Sequence, residues 1–326
     1  MNMYKQIARN KRDSWFLMTM VVLILLGLGF AIGVATMHTT TGGIGLLGVF
    51  GVVAILWSVI SYYAGAGMAL AVSGARAVTH EQEPQLYNVV EEMSVAGGLP
   101  MPKVYVIEQD APNAFATGRD PQHSAVAVTR GLLTRLNREE LQGVVAHEMS
   151  HVRNYDIRFG TLVGIMVGMI ALIADFFLRF TFWGGMMGGG GSRRSSNDSG
   201  GNQLAAIMFV VAIVLAIIAP IFAYLVQFAI SRRREYLADA SGVELTRNPL
   251  GLASALQKIA ADPDPLKTAN RATAHLYIAN PLRNKKAKAT AGLLDTHPPI
   301  QERIRILREM AYQHDPIPPV GEPAKV

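Results

Sequence analysis

Four long apolar stretches limit what this chain can fold into. A helix needs about 20 predominantly apolar residues to cross the hydrocarbon core of a bilayer. Segments that reach this length lie at about 15–37, 44–70, 159–183 and 204–230. The composition agrees, because charged residues make up only 17% of the 326 residues, whereas soluble domains carry about 25%. We therefore expect four membrane spans, which excludes a purely soluble enzyme.

The first apolar stretch has one competing interpretation, a signal peptide that is removed from the mature protein. Its apolar region is longer than that of a signal peptide, and no cleavage site of small residues stands out. We therefore expect an uncleaved span.

Basic residues near the span ends predict the orientation of the chain. Cytoplasmic loops carry an excess of Lys and Arg, and ten such residues flank the spans on one side. The other side has only Arg193 and Arg194, in a loop, with Arg179 near the end of the third span. Both termini and the segment 73–158 are therefore expected on the cytoplasmic side of the cell (inner) membrane.

The formal net charge of +6 is concentrated near these span ends. A nucleic-acid-binding protein places its basic residues on a folded face, with aromatic residues interleaved. Contact with the anionic headgroups of the lipid bilayer is the simpler interpretation of this distribution, so we expect no nucleic-acid partner. The sequence leaves the oligomeric state open, and a homo-oligomer is compatible with it.

The polar segments supply the soluble part of the expected α+β fold. Residues 73–158 and 231–326 are expected to form one cytoplasmic domain, and 1–72 the N-terminal tail and first transmembrane hairpin. Residues 159–230 form the second hairpin, with a flexible Gly- and Ser-rich extracytoplasmic loop at 184–203. Composition and periodicity predict three strands and five helices in the soluble part. The strands are Lys103–Glu108, Ala125–Thr129 and a short one within Ala111–Gly118, and the helices are about 81–96, 138–157, 234–246, 249–261 and 298–312.

The strongest functional signal is the sequence HEMSH at residues 147–151, which has the form H-E-x-x-H. Asn137 and Glu140 have the spacing of a helix capping box, and no Pro or Gly interrupts the turn around the histidines. Residues i and i+4 lie on one face of a helix, about 6 Å apart, so both imidazoles can reach one Zn²⁺. Glu148 can then act as general base on an activated water. The alternative is an exposed helix with two solvated histidines.

A hydrolytic zinc site needs a third protein ligand. The chain has no Cys, and the candidates are Asp156, Glu235, Asp239 and His297. Asp156 follows on the same predicted helix and is expected to point away. Glu235 and Asp239 share a face of a separate helix; if Glu235 ligates, Asp239 can accept a hydrogen bond from a ligating imidazole. The alternative is a surface carboxylate pair against the arginines at 232–234.

Membrane geometry favours Glu235 independently. This residue lies about five residues beyond the fourth span, roughly 7–8 Å along a continuing helix. His151 lies eight residues before the third span, or roughly 12 Å. Both side chains are thus expected at a similar height above the same face of the bilayer.

Four sequence blocks carry a resemblance to a known family. They are AHEMSH at 146–151, SRRREYLADA at 231–240, PNAFATG at 112–118 and THPPI at 296–300. Together they closely resemble the HtpX family of membrane zinc endopeptidases, relatives of the CAAX prenyl proteases, over nearly the whole chain. We therefore expect four transmembrane helices and a cytoplasmic zincin-like metalloprotease domain, mostly helical with a small β-sheet.

The resemblance also implies a cofactor, a substrate class and a set of roles. It implies one Zn²⁺ per chain, held by His147, His151 and Glu235, with Glu148 as catalytic base. The substrates implied are unfolded, damaged or misfolded membrane proteins, degraded in a stress response. In the family a His-Pro motif lies near the metal, which here points to His297.

Four residues complete the predicted site. His297 or Arg303, which lies six residues later, could stabilise the oxyanion that develops on the substrate. The alternative for His297 is a histidine in a Pro-rich turn that only starts the last helix. Asn113 and the strand around Phe115 could bind an extended substrate by strand addition, although the sequence alone makes this an ordinary edge strand.

Two other functions compete with a protease that acts at the cytoplasmic face. One is a protease that cuts inside the bilayer, although the helix that carries the motif is too polar for the hydrocarbon core. The other is a non-enzymatic membrane chaperone or transporter with a structural metal. In that interpretation Asp175 and Arg179, charged residues within the third span, belong to a polar path; a structural ion pair along the helix is the alternative.

Overall fold

The computed structural model describes residues 3–37, 39–166, 232–262, 266, 273–279 and 298–314. Most of the expected third span, the whole fourth span and the loop at 184–203 lie outside these residues. Asp175, Arg179 and His297 also lie outside them. The expected division of the chain into two hairpins and a two-part domain therefore stays a prediction.

Two long helices form the N-terminal part. Helix α1 spans Met3–Met37 and α2 spans Thr40–Val72, and the Thr39 side chain caps α2 by accepting a hydrogen bond from Gly42 N. The helices approach closely at their glycines, because a Cβ atom at Gly33 would lie 2.4 Å from the Gly42 carbonyl oxygen. Among the described residues one helix, α2, is long and apolar enough to cross a membrane, with a mean hydropathy of 2.4.

A four-stranded mixed sheet follows the helical hairpin. Its spatial order is β1-β2-β4-β3; β2 and β4 are parallel, and the two outer pairs are antiparallel. Val126 of β4 lies between Val104 of β2 and Ala116 of β3. The three predicted strands are present, and β1 is an addition that sequence patterns did not predict. The bounds are Ala75–Ala77 for β1, Lys103–Ile107 for β2, Ala114–Gly118 for β3 and Ser124–Thr129 for β4.

Helices surround this sheet in the mostly helical soluble part. Four of the five predicted helices agree with the structure to within three residues at each end, and the short α4 was not predicted. The helices are α3 (Pro84–Gly97), α4 (Arg130–Arg135), α5 (Arg138–Arg153), α6 (156–166), α7 (Arg232–Thr246), α8 (Pro249–Ala261) and α9 (Ile300–His314), with 3₁₀ turns at Pro121–His123 and Ala274–Leu276.

The main core lies between the sheet and helices α3, α5 and α8. Val90 of α3, Val126 of β4 and Val145 of α5 are all fully buried in it. Gly143 lets α8 approach α5, because a Cβ atom there would lie 2.7 Å from the backbone nitrogen of Leu252. Helix α5 is therefore enclosed by other elements, which places its side chains in the centre of the domain.

The predicted helix at 138–157 is wrong in its last turn. Helix α5 ends at Arg153, and the Asn154 N–H donates to the Ser150 carbonyl oxygen at the end of the helix. Tyr155 has φ of 60°, in the left-handed region, and the helix resumes only at 156. No Gly or Pro marks this break, so the helical pattern runs through it in the sequence. The turn changes the direction of every side chain that follows.

Candidate metal centre

The H-E-x-x-H sequence lies in the second half of α5. The helix starts with the predicted capping box: the Asn137 side chain accepts from Glu140 N at 2.9 Å, and the Glu140 carboxylate accepts from Asn137 N at 2.8 Å. Lys258 of α8 also contacts Glu140, with Nζ 2.7 Å from Oε2. Three turns later, His147 is completely buried and Glu148 is 2% exposed. The alternative of two solvated histidines on an exposed helix is therefore wrong.

Three of the predicted side chains converge at one point. The Nε2 atoms of His147 and His151 lie 3.2 Å apart. Glu235 of α7 places Oε2 3.7 Å from His147 Nε2 and Oε1 3.6 Å from His151 Nε2. One potential ligand atom from each residue lies within 4.8 Å of the others. The spacing i, i+4 and the docking of α7 on α5 thus produce a three-residue centre.

Each histidine has a carboxylate behind its other ring nitrogen. His147 Nδ1 lies 2.9 Å from Asp239 Oδ1, and His151 Nδ1 lies 3.1 Å from Asp156 Oδ2. Because a carboxylate accepts hydrogen bonds, these contacts assign a proton to each Nδ1 and direct the Nε2 atoms towards Glu235. The expectation that Asp156 points away is wrong, because the turn at Tyr155 brings it back to His151.

The convergent atoms fit a divalent cation. Two Zn–N bonds of about 2.1 Å at a tetrahedral angle separate their nitrogens by about 3.4 Å, close to the 3.2 Å between the two Nε2 atoms. Two imidazole lone pairs and a carboxylate at this distance repel one another unless a positive charge lies between them. The donor set of His147, His151 and Glu235 is also one that zinc prefers.

The surroundings of the two histidines shift their pKa values in opposite directions. Burial lowers the pKa of His147. Burial acts in the same direction on His151, but the hydrogen bond to Asp156 and the charge of Glu235 overcome it and raise the pKa of His151 to about 9. In the metal-free protein a proton on His151 therefore takes the place of a cation.

Close packing between α5 and α7 sets the position of Glu235. Gly242 lies on the α7 surface that faces α5, where an added Cβ atom would lie 3.2 Å from His147 N. Glu235 and Asp239, two turns and one turn earlier on α7, are 7% and 2% exposed. The alternative of a surface carboxylate pair is therefore wrong. The sequence pattern of α7 alone does not show this burial.

All three guanidinium nitrogens of Arg303, on α9, contact residues on the side of the centre away from the cleft. Its Nε and Nη2 atoms donate to the two carboxylate oxygens of Asp239 at 2.8 and 2.6 Å, and Nη1 donates to the Ile278 carbonyl oxygen at 3.1 Å. Nη1 also lies 3.4 Å from Glu235 Oε2. These contacts position Arg303 behind His147 and argue against the oxyanion role that we expected for it.

Glu148 has the surroundings of a proton acceptor. It receives a hydrogen bond from the backbone N–H of Ala116, and its Oε1 atom is buried without a hydrogen-bond partner among the described residues. Burial raises the pKa of Glu148 to about 7, and the charge of Glu235 adds to the rise. A buried polar atom of this kind requires an explanation in a folded protein, and a reacting water or substrate supplies one.

A small cleft of about 60 Å³ opens in front of the centre. Glu148, His151 and Glu235 line it, and His275 and Leu276 lie on its wall. His275 is 8% exposed, and its Nε2 atom lies 2.9 Å from the Gly160 carbonyl oxygen. Sequence reasoning did not identify His275, because no spacing relates it to the motif. The cleft gives a substrate access to the buried carboxylates.

The predicted substrate-binding residues are buried by other parts of the chain. Phe115 is fully buried on the edge strand β3, where it forms a β-bridge with Tyr277. Asn113 donates from Nδ2 to the Ala279 carbonyl oxygen at 3.0 Å. Strand addition at this part of the edge would require Tyr277 and Ile278 to move, because Ile278 N already donates to Ala114 O. Substrate binding by Asn113 and Phe115 stays a prediction.

The sequence of this chain is similar to those of known peptidases. The chain matches the model of Peptidase family M48 over residues 80–311. A relative named Protease HtpX homolog from Listeria monocytogenes serovar 1/2a is 48% identical over 309 residues, which cover 94% of this chain and 100% of the relative. A protein of the same name from Dictyoglomus turgidum is 44% identical over 307 residues, covering 94% of both chains. The crystal structure of S. mikatae Ste24p is similar with a TM-score of 0.47 and 16% identity, covering 93% of this chain and 67% of that one.

The family match includes every residue that converges at the centre, from His147 on α5 to Arg303 on α9. The HtpX homologues extend the likeness over nearly the whole chain. Since the family model matches residues 80–311 and these HtpX relatives are 44–48% identical over 94% of the chain, the chain belongs to peptidase family M48 and is a metalloprotease of the HtpX family.

Proposed function

We propose that this membrane metalloprotease is a zinc endopeptidase that hydrolyses damaged or misfolded membrane proteins at the cytoplasmic face. The observation that carries the proposal is the convergence of His147, His151 and Glu235 beside the buried Glu148. These three ligands would hold one Zn²⁺ per chain and leave a coordination position for water. Three protein ligands with one open position are typical of catalytic rather than structural zinc.

Glu148 is the proposed general base. When bound, Zn²⁺ lowers the pKa of a water to about 7 and polarises the scissile carbonyl group. Glu148 would accept a proton from the attacking water and later deliver it to the leaving amine. Its own pKa of about 7 suits both steps, because a general base works best near the operating pH. The hydrogen bond from Ala116 N–H orients the carboxylate during this transfer.

The carboxylates behind the histidines are proposed to orient the ligands. Asp239 and Asp156 each accept a hydrogen bond from one Nδ1 atom, which sets the ring plane and tautomer of His147 and His151. Arg303 in turn fixes Asp239. Stabilisation of the substrate oxyanion is then proposed for His297, which lies outside the described residues.

The proposed location is a multi-pass arrangement in the inner membrane with both termini and the centre in the cytoplasm. The apolar helix α2 and the basic residues at the span ends support it. A cytoplasmic centre close to the bilayer suits substrates whose misfolded segments emerge from the membrane. The substrates proposed here are therefore unfolded segments of membrane proteins.

Purified full-length protein in detergent tests the proposal with Glu148→Gln and the control Glu139→Gln, an exposed residue on the same helix. Metal analysis should find one zinc per chain in both variants and in the wild type. Cleavage of an unfolded protein should fall by at least about 100-fold in Glu148→Gln and stay unchanged in Glu139→Gln. Undiminished turnover in Glu148→Gln would contradict the general-base role.

Mapping the cleavage sites decides between this function and its two alternatives. Cuts in polar segments support hydrolysis at the membrane surface, whereas cuts confined to the interior of spans would favour a protease that acts inside the bilayer. If the zinc-loaded protein never cleaves, and a holding or transport activity survives Glu148→Gln, the protein is a chaperone or transporter with a structural metal.

A further inference from the structure

The N-terminal helix α1 reaches the metal centre through one buried amide. Asn10 precedes the expected first span, in the polar part of α1, yet it is only 2% exposed. Its Nδ2 atom donates to Asp156 Oδ1 at 2.6 Å and to the Asn154 carbonyl oxygen at 2.8 Å. Its Oδ1 atom accepts from Arg234 Nη1 at 3.3 Å. Both the NH₂ group and the carbonyl oxygen of this amide are therefore hydrogen-bonded.

Asp156 connects Asn10 to a proposed metal ligand. One oxygen of its carboxylate receives the hydrogen bond from Asn10, and the other lies 3.1 Å from His151 Nδ1. Holding both oxygens determines the plane of the carboxylate and hence the direction of the lone pairs that face the imidazole. Such outer contacts orient a ligating histidine and tune its affinity for metal.

A second residue of α1, Lys11, contacts the turn at Tyr155 that directs Asp156 towards His151. The Lys11 ammonium group lies 4.2 Å from the centroid of the Tyr155 ring, within the range of a cation–π contact. Asn10 meanwhile binds the carbonyl oxygen of Asn154, which is 144 residues away in sequence. Two successive residues of α1 thus contact the turn at 154–155 between helices α5 and α6.

The docking of α1 at this point is well defined. Ser14, Leu17 and Val21 follow Asn10 at helical spacing and are each at most 2% exposed. One face of α1 is therefore buried over three turns, which fixes the height and rotation at which Asn10 is presented. Neither the H-E-x-x-H sequence nor the position of Glu235 predicts that the N-terminus contributes to the centre.

We propose that Asn10 is a positioning residue for the metal centre. Through Asp156 it sets the orientation of His151, so that the seating of the N-terminal helix on the protease domain is part of the catalytic geometry. This inference rests on the proposed function, because the metal-binding role of His147, His151 and Glu235 is itself a proposal. Asn10 would act through its hydrogen bonds alone, and its role needs no change in protonation.

The test compares metal binding by the full-length protein in detergent micelles for the wild type, Asn10→Ala and Ser14→Ala. Competition with a chromophoric chelator gives the dissociation constant for Zn²⁺, and the absorption bands of bound Co²⁺ report the ligand arrangement. We expect Asn10→Ala to raise the dissociation constant about tenfold, the lower end for outer hydrogen-bond partners, and to shift the Co²⁺ bands. Ser14 is equally buried, and its Oγ atom donates within α1 to the Asn10 carbonyl oxygen, so Ser14→Ala should change neither.

A double-mutant cycle separates positioning from a general loss of packing. If Asn10 acts through Asp156, the Asn10→Ala change should weaken metal binding much less in an Asp156→Asn background than in the wild type. Asn10→Ser is the second variant in case Asn10→Ala does not fold. Its hydroxyl group is too short to reach both Asp156 and Asn154, so the same loss of affinity is expected.

Three results would overturn the inference in distinguishable ways. A folded Asn10→Ala or Asn10→Ser protein with wild-type affinity and an unchanged Co²⁺ spectrum excludes the positioning role. Full additivity with Asp156→Asn excludes the route through Asp156. If the wild type binds no metal, or if Glu235→Gln binds it as tightly as the wild type, the proposed metal site itself is wrong, and the inference falls with it.

Discussion

Arg303 holds both carboxylate oxygens of Asp239, at 2.8 Å from Nε and 2.6 Å from Nη2. The oxygen that receives Nη2 also lies 2.9 Å from His147 Nδ1. Burial opposes ionisation of Asp239, but Arg303 and the hydrogen bonds lower its pKa below the ordinary value. One buried carboxylate is thus kept charged by α9 while it orients a histidine on α5.

Replacing Arg303 with Met should destabilise the protein by about 3–5 kcal/mol, because the Asp239 carboxylate would be left buried without a counter-charge. Arg303→Lys should recover only part of the loss, since an ammonium group cannot form two parallel hydrogen bonds. Thermal and denaturant unfolding of the metal-free protein measure the effect. The control is Arg305→Lys on the same helix, where an exposed ion pair with Glu302 should contribute no more than about 1 kcal/mol. Equal stability of Arg303→Met and the wild type would contradict the prediction.

Metal binding should release a proton from His151. Its pKa of about 9 is above the ordinary value, so the metal-free site holds this proton at pH 8 and loses it as the pH rises through about 9. A metal ligand must be a neutral imidazole, and the apparent affinity should therefore increase with pH up to about 9 and then level off. Calorimetric titration at pH 8 in two buffers of different ionisation enthalpy measures the released protons.

The variant Asp156→Asn provides the control for this proton. It removes one of the groups that raise the pKa of His151, so fewer protons should be released at pH 8. A binding enthalpy that does not depend on the buffer, in the wild type, would show that His151 is already neutral.

The left-handed turn at Tyr155 should be sensitive to the shape of the side chain there. With φ of 60°, a β-branched residue is strained by about 1–2 kcal/mol, whereas Gly and Asn adopt this conformation readily. Tyr155→Val should therefore weaken Zn²⁺ binding, because the turn directs Asp156 to His151. Tyr155→Gly, which loses the same ring, is the matched control and should bind more tightly than Tyr155→Val. The reverse order of affinities would contradict the prediction, and equal weakening in both variants would show that the ring, rather than the turn, matters.

Gly242→Ala should separate α7 from α5. The added Cβ atom would lie 3.2 Å from His147 N, and the backbone of a packed helix has little freedom to withdraw. We expect weaker metal binding, despite a gain in helix propensity of about 1 kcal/mol. Gly97→Ala in α3 is the control, because its Cβ atom would make contacts of 3.4 Å or more with side chains. Unchanged Zn²⁺ affinity in Gly242→Ala would mean that the two helices can adjust.

Some elements of the structure could be predicted from local sequence patterns, and others could not. Helix α5, its capping box and the shared face of His147 and His151 follow from local spacing, and the structure confirms them. The break at Tyr155 could not be predicted, because no Gly or Pro marks it and the helical pattern continues on both sides. The predicted direction of the Asp156 side chain was wrong for the same reason.

The contact of the N-terminal helix with the metal centre could not be predicted either, for a different reason. Asn10 is one polar residue in a polar stretch that precedes an apolar one, and nothing in its surroundings identifies it as buried. Its contacts with Asp156 and Asn154 connect positions about 145 residues apart. Such pairs are created by the docking of helices, and local periodicity carries no information about them.

The sequence by itself determined the apolar helix α2, the helix that carries H-E-x-x-H and the chemical types of the ligands, because these depend on composition and on spacings within a few turns. Only the tertiary structure decided which carboxylates stand behind each histidine, that Arg303 is bound to Asp239, and that α1 reaches Asp156. Those relationships depend on how separate helices pack, and the packing is set by buried surfaces and close approaches that lie far apart in the chain.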